Sequence, residues 1–222
     1  MTQAERRVTG LRPERVRANL QEVRERIAAA ASRAGRAAEV EVCAATKYVP
    51  VEEMGPLAEA GVAVVGENRA QDLEAKVAAH GPRFEWDFIG HLQSRKVKRI
   101  LPHVRLIHSL ASDSALAQLA RHGDAGTEVL VEVNTAGEPS KSGLAPDEVE
   151  AFIARCPVRV SGLMTMPPLA AEPERSRPHF AALRELAERL GLGRLSMGTT
   201  QDYEVAVEEG ATIVRIGTLL YR

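Results

Sequence analysis

Apolar positions along the chain follow two different periods. Over residues 13–36, Val16, Leu20, Val23 and Ile27 recur at helical spacing. Arg and Glu fill the opposite face and Gly35 supplies a stop, so the stretch predicts an amphipathic helix. Beyond it, short β-type runs alternate with helical ones. The β-type runs are 40–46, 62–66, 84–90, 105–109, 128–134, 159–165, 194–198 and 212–217. Helical patterns fill most of the gaps, at 70–79, 114–121, 146–155, 178–190 and 202–209. Eight strands alternating with helices is the count of a (β/α)8 barrel, with a doubly wound open sheet as the competing arrangement. The expectation is an α/β protein, a single (β/α)8 TIM barrel preceded by an N-terminal helix, with residues 1–222 forming one domain. No linker, repeat or low-complexity stretch divides it.

Composition narrows the class. At 45% hydrophobic residues the chain can bury a core, which sets disorder aside. Lys+Arg (29) and Asp+Glu (30) nearly cancel, which removes the electrostatic case for nucleic acid or an anionic membrane as partner. No apolar run approaches the ~20 residues of a membrane span. The opening MTQAERRVTGLRPERV lacks the apolar stretch of a secretory signal. Cys43 and Cys156 are in no CxxC spacing and give neither a disulfide framework nor a zinc site. A cytoplasmic protein of a reducing compartment is the expectation. Basic residues are mostly Arg, and the lysines are Lys47, Lys76, Lys96, Lys98 and Lys141. Arg forms no imine whereas Lys does, so covalent amine chemistry has few candidates.

In a barrel the chemistry belongs at the C-terminal ends of the strands. Lys47 closes the run EVCAATK, and alternation places Cys43, Ala45 and Lys47 on the face toward the lumen. Partial desolvation there lowers a lysine pKa and makes the amine a better nucleophile. A lysine snorkelling from a strand edge is the plainer reading. Lys76 on a helix, Lys96 and Lys98 in SRKVKR, and Lys141 in GEPSKSG read as solvated. Alternation turns Tyr48 to the opposite face from Lys47.

The last two strands end in LSMGTTQD and RIGT. Glycine lets backbone amides approach an anion, and Ser196, Thr199, Thr200 and Thr218 add hydroxyls. Asp202 opens a helical pattern, and loops after strands seven and eight commonly hold phosphate in barrels. Ordinary βα turns with capping residues account for the same letters. Arg215, between Val214 and Ile216, needs an acceptor if buried. Either a carboxylate or a cofactor ring nitrogen would serve.

Seven segments in order, VCAATKYVP, GENRAQDLEAK, WDFIGHLQSRK, IHSLAS, VLVEVNTAGEPSKSGL, VSGLMTMPP and LSMGTTQDYEVAVEEGATIVRIGT, give the chain its resemblance to a family. It resembles the YggS/PROSC-like pyridoxal-phosphate homeostasis proteins, relatives of the alanine racemase barrel domain. The resemblance implies a (β/α)8 barrel holding pyridoxal 5'-phosphate (PLP) as an internal aldimine on Lys47. It implies Asn68 and Met164 near the ring, Ser196, Gly198, Gly217 and Thr218 at the phosphate, and Arg215 at the pyridine nitrogen. Asn68 read alone could cap the following helix, and Met164 could be plain core. The chain departs from the family pattern in LSMGTT for LSMGMS, LQSRK for LQSNK, and its LLYR ending. The run Arg95, Lys96, Lys98, Arg99 reads as a solvated helix face or as an anion-attracting rim.

A PLP racemase needs two bases on opposite faces of the substrate α-carbon. In the enzyme relatives the second is a tyrosine from an additional domain, for which this chain has no residues to spare. Arg at the pyridine nitrogen also blunts the electron sink. The expected function is PLP binding in intracellular PLP homeostasis, without robust catalysis, by a monomer with apo PLP-dependent enzymes as partners. A low-activity PLP-dependent amino-acid racemase and a PLP-free barrel enzyme acting on a phosphorylated metabolite are the alternatives.

Overall fold

The structure is a computed structural model and describes residues 7–36, 39–138 and 142–222. Lys141 and the first six residues, on which part of the signal-sequence expectation rests, lie outside them. Eight parallel strands close in sequence order: β1 (Glu41–Ala45), β2 (Val64–Glu67), β3 (Glu85–Phe88), β4 (Leu106–Leu110), β5 (Glu128–Glu132), β6 (Arg159–Met164), β7 (Arg194–Thr199) and β8 (Ile213–Ile216). Cys43 of β1 sits opposite Val64 of β2 on one side and Arg215 of β8 on the other, which shuts the sheet into a barrel. The open-sheet alternative is thereby excluded.

The helices are α1 (Pro13–Arg33), α2 (Met54–Glu59), α3 (Ala70–His80), α4 (Val97–Ile100), α5 (Asp113–His122), α6 (Val149–Ala154), α7 (Arg177–Arg189) and α8 (Tyr203–Glu208). Helix α1 starts at Pro13, where a missing N–H costs nothing, and ends before Gly35, whose φ of +64° breaks the helix. It buries Val16, Leu20, Val23 and Ile27, the predicted stripe, and packs on α8 beside the barrel. Two helices carry no clear sequence pattern. Helix α2 spans only MGPLAE and follows a 3₁₀ turn at Val51–Glu53, while α4 is a single turn. Both are too short for helical periodicity to show. In α4, Val97 and Ile100 are buried while Lys98 is exposed and Arg99 pairs with Glu74; Arg95 and Lys96 lie on the 3₁₀ turn Ser94–Lys96 just before it, so the basic run spans a turn and a helix.

Side chains alternate across every strand, giving two cores. The outer one lies between strands and helices; α7 contributes Phe180, Leu183 and Leu186, each stabilising by about 1.5–3 kcal/mol when fully buried. The inner one fills the lumen with Cys43, Val64, Leu106, Leu130, Met164 and Ile213. Polar groups share that lumen. His108 of β4 bonds Ser196 of β7, strands that are not neighbours, so their contact crosses the barrel interior.

Candidate functional site

Lys47 lies at the mouth of the barrel, but not as strand alternation predicts. The ladder ends at Ala45, Thr46 N donates to Gly66 O, and a tight turn closes with Val49 N donating to Thr46 O. Lys47 sits inside that turn and is exposed. Period-two placement therefore stops applying one residue before it, and the expected desolvation is absent. Its ammonium lies 4.8 Å from the centroid of the Tyr48 ring, so these neighbours share a side rather than opposing faces.

The turn is anchored from below by a residue that the sequence reading placed in solvent. Lys76 is buried, 3% exposed, and its Nζ donates to Thr46 O (2.8 Å) and to Glu67 Oε1 (2.5 Å). Thr46 Oγ1 donates to the same carboxylate oxygen. Burial raises the Glu67 pKa, and Lys76 and Thr46 oppose that rise. Tyr221 OH donates to Ala45 O (3.1 Å), so the two carbonyls preceding Lys47 are each held by a side chain from a distant element. Ala70, Leu73 and Lys76, at i, i+3 and i+6, form one buried stripe of α3, a signal that would have found Lys76.

Arg215 is buried in β8, and no carboxylate pairs with it among the described residues. Its Nη1 donates to Ser196 O (2.9 Å) and Ser196 Oγ (2.5 Å), and its Nη2 to Thr165 O (3.0 Å). A guanidinium carries five N–H donors. One on Nε and one on Nη2 thus have no acceptor among the described residues. Burial lowers the Arg215 pKa, with Cys43, Asp202 and Glu132 opposing. Ser196 is fully buried, its hydroxyl taken by Arg215 and by His108 Nδ1 (2.8 Å). It faces the lumen rather than the turn where a phosphate role would require it, because alternation along β7 points it inward.

Arg215 borders two cavities. One, of about 350 Å³, is lined by Lys47, Met166, Gly198, Thr199, Gln201 and Asp202 among others. Gly198 has φ +89°, and a Cβ there would lie 2.5 Å from Ala206 Cβ, so the turn can pass only as glycine. Asp202 shapes the turn: Oδ1 accepts from Thr199 N (2.7 Å) and Thr199 Oγ1 (3.1 Å), and Oδ2 from Ser176 Oγ (2.9 Å). Gly217 and Thr218 follow β8 on the adjoining loop, Gly217 N donating to Thr200 Oγ1 (3.2 Å). The backbone amides of Thr200, Gln201 and Thr218 have no protein acceptor among the described residues. Those amides can receive an anion.

The second cavity, of about 290 Å³, brings together Asn68, His91, Ser109, Glu132, Met164 and Arg215. Asn68 does not cap α3, whose N-cap position is Arg69. Its Oδ1 is buried without a donor among the described residues, while its backbone packs so tightly on Gly90 that a Cβ at Gly90 would meet Asn68 O at 2.1 Å. Met164 is both lumen core and cavity wall. Burial raises the pKa of Glu132, against the hydrogen bond from Ser142. Glu67 and His108 read in the sequence only as polar strand ends, and Asp87 and Glu132 were not singled out; the four stand in β2, β4, β3 and β5. The donor set suits one ligand that carries a phosphoryl group, a ring acceptor and a carbonyl within reach of an amine.

Residues 18–222 match the family described as alanine racemase, N-terminal domain. A pyridoxal phosphate homeostasis protein from Aquifex aeolicus is 43% identical over 220 residues, covering 91% of this chain and 95% of that protein. Among solved structures, one described as an unknown protein from Bifidobacterium adolescentis superposes with a TM-score of 0.85 at 32% identity, over 94% of this chain and 95% of that one. PipY of Synechococcus elongatus, solved with PLP bound, superposes with a TM-score of 0.78 at 28% identity, over 93% and 100%.

Proposed function

The chain belongs to the alanine racemase N-terminal domain family and, within it, to the pyridoxal phosphate homeostasis proteins, and from that premise we propose that it binds PLP and serves PLP homeostasis. The observation that carries this reading is that Lys47 and Arg215 border one cavity beside the Gly198 turn. When bound, the cofactor supplies an aldehyde to which an amine attaches with loss of water, and an electron-accepting ring. Lys47 supplies the amine, from a turn held by Lys76 and Tyr221. The amides of Thr200, Gln201 and Thr218 receive the phosphate, with Gly198 and Gly217 keeping the backbone close. Arg215 turns its two remaining N–H groups to the ring nitrogen and keeps that nitrogen unprotonated. Asn68 and Met164 border the ring. Ser196 acts through Arg215 rather than on the phosphate.

The protein is a carrier or reservoir, without robust turnover. Tyr203 packs against the core, and the Tyr221 hydroxyl is spent on Ala45 O. Tyr48 lines a neighbouring cleft with Lys47 but neither cavity at Arg215. No tyrosine thus stands ready as a second base at those cavities among the described residues. The reading extends to a single barrel domain acting as a cytoplasmic monomer that passes PLP to apo-enzymes; among the described residues no helix is long and apolar enough to cross a membrane. Adding PLP to the purified protein gives a visible absorption band that Lys47→Ala abolishes. Failure of the wild type to develop that band refutes cofactor binding. Coupled racemase and decarboxylase assays running at ordinary enzyme rates, ~1–10³ s⁻¹, refute the non-catalytic part.

A further inference from the structure

A chain of buried hydrogen bonds runs up the lumen to Arg215. At its lower end Arg105 Nε and Nη2 reach Asp87 at 2.9 and 3.2 Å. Asp87 Oδ2 lies 3.1 Å from His108 Nε2, His108 Nδ1 lies 2.8 Å from Ser196 Oγ, and Ser196 Oγ accepts from Arg215 Nη1 at 2.5 Å. Asp87, His108 and Ser196 are fully buried and Arg215 is 6% exposed, so no solvent relieves a mismatched partner.

Proton counting leaves one arrangement. Arg215 can only donate, and an ionised Asp87 can only accept. His108 Nε2 must therefore carry the hydrogen that meets Asp87, since a bare ring nitrogen there would oppose two lone pairs. A neutral imidazole then has Nδ1 free as an acceptor, and the Ser196 hydroxyl points its hydrogen at it. Burial, the largest influence on His108, favours the neutral ring. From Arg215 through Ser196 and His108 to Asp87 each donor points the same way, with Arg105 donating to Asp87 from the far end, and such aligned bonds polarise one another. The Ser196 oxygen presents Arg215 with a fixed, electron-rich acceptor.

We propose that Asp87, His108 and Ser196 form a polarised relay that positions Arg215, so that its remaining N–H groups are aimed at the barrel mouth before any ligand arrives. The three are positioning residues, and the proposal rests on the reading that Arg215 meets the PLP ring nitrogen. Asp87→Asn probes polarity with almost no change of shape. Its amide oxygen is drawn to Arg105, its NH₂ turns to His108 Nε2, and the ring is forced into the opposite tautomer.

The test has two arms. In the first, ¹⁵N-histidine NMR of the protein without PLP reads the His108 tautomer. The expected result is the neutral Nε2–H form in wild type and the Nδ1–H form in Asp87→Asn. In the second, PLP titration of Ser196→Ala shows affinity reduced on the order of tenfold, the equivalent of one hydrogen bond to a charged group, together with a shifted visible absorption maximum. A role confined to packing leaves that maximum in place. An Nδ1–H or doubly protonated His108 in wild type overturns the relay. So does a Ser196→Ala protein with wild-type affinity and absorption maximum. Wild type that takes up no PLP overturns the cofactor reading instead, and the NMR arm still decides the relay.

Discussion

Replacing Lys76 with methionine strips the partner from a carboxylate that has no route to water. Glu67 is fully buried and Lys76 is 3% exposed, with Nζ and Oε1 2.5 Å apart. Breaking such a pair costs about 3–5 kcal/mol when the remaining charge persists. The protein can limit that loss by protonating Glu67, whose pKa burial already raises. Protonating a carboxyl of ordinary pKa, about 4.3, at pH 7 costs about 3.7 kcal/mol, so the loss at pH 7 is about 3–4 kcal/mol. For a chain this long each kcal/mol moves Tm by about 2–4 °C, which gives a fall of roughly 6–16 °C. The sign with pH follows from the raised folded pKa: the variant's stability is retained below the unfolded value and lost as pH rises through the folded one. At pH 5 the protonation cost shrinks to about 1 kcal/mol, and most of the deficit disappears. Denaturant melts of Lys76→Met at pH 5 and 7, beside a Lys76→Met/Glu67→Gln double variant, measure this. A pH 7 deficit under about 1 kcal/mol refutes the reasoning, as does a deficit equally large at pH 5.

Three further outcomes follow from other parts of the site. His108 is buried with a lowered pKa, so its contribution to stability is complete above the ordinary histidine range near 6.5 and lost as pH falls toward the folded value. His108→Asn, which cannot titrate, accordingly shows a shallower acid-side decline in denaturant melts than wild type. Gly198→Ala forces a Cβ to 2.5 Å from Ala206 Cβ at φ +89°; it destabilises by about 1–3 kcal/mol, and the folded fraction binds PLP more weakly by absorbance titration. Pyridoxal, lacking the phosphate, binds at least about tenfold more weakly than PLP, because several charge-assisted amide contacts go unmade. Equal affinity for the two contradicts a phosphate site at Thr200, Gln201 and Thr218.

Much of this fold was legible because the barrel repeats a short apolar strand eight times, with helical periods in most of the gaps. The stripe Val16, Leu20, Val23, Ile27 marks α1, and each β-type run overlaps a strand, with β2, β4 and β7 each ending one residue beyond the predicted run. Boundaries were less so: β1 ends at Ala45, and one residue of turn was enough to move Lys47 from lumen to mouth. No local pattern carries that, since the ladder ends where the partner strand's hydrogen bonding ends. Lys47, Arg215 and the Gly198 turn were nominated on residue type and place, and the fold brings them around one cavity. Partner choice was illegible. Ser196 looked like a phosphate hydroxyl from its neighbours Met197 and Gly198, but it bonds His108, 88 residues away, across the lumen. Lys76 read as solvated because charged helix residues usually are; its place on the Ala70–Leu73 stripe marks it as buried, but its partners, the Thr46 carbonyl and Glu67, come only from the fold.

The central claim is that this barrel holds PLP through Lys47. Borohydride reduction of the PLP-loaded protein followed by peptide mass mapping tests it directly. The reduced cofactor is expected on the peptide containing Lys47 and absent from those containing Lys76, Lys96, Lys98 and Lys141. Attachment at another lysine, or no covalent label, contradicts the account.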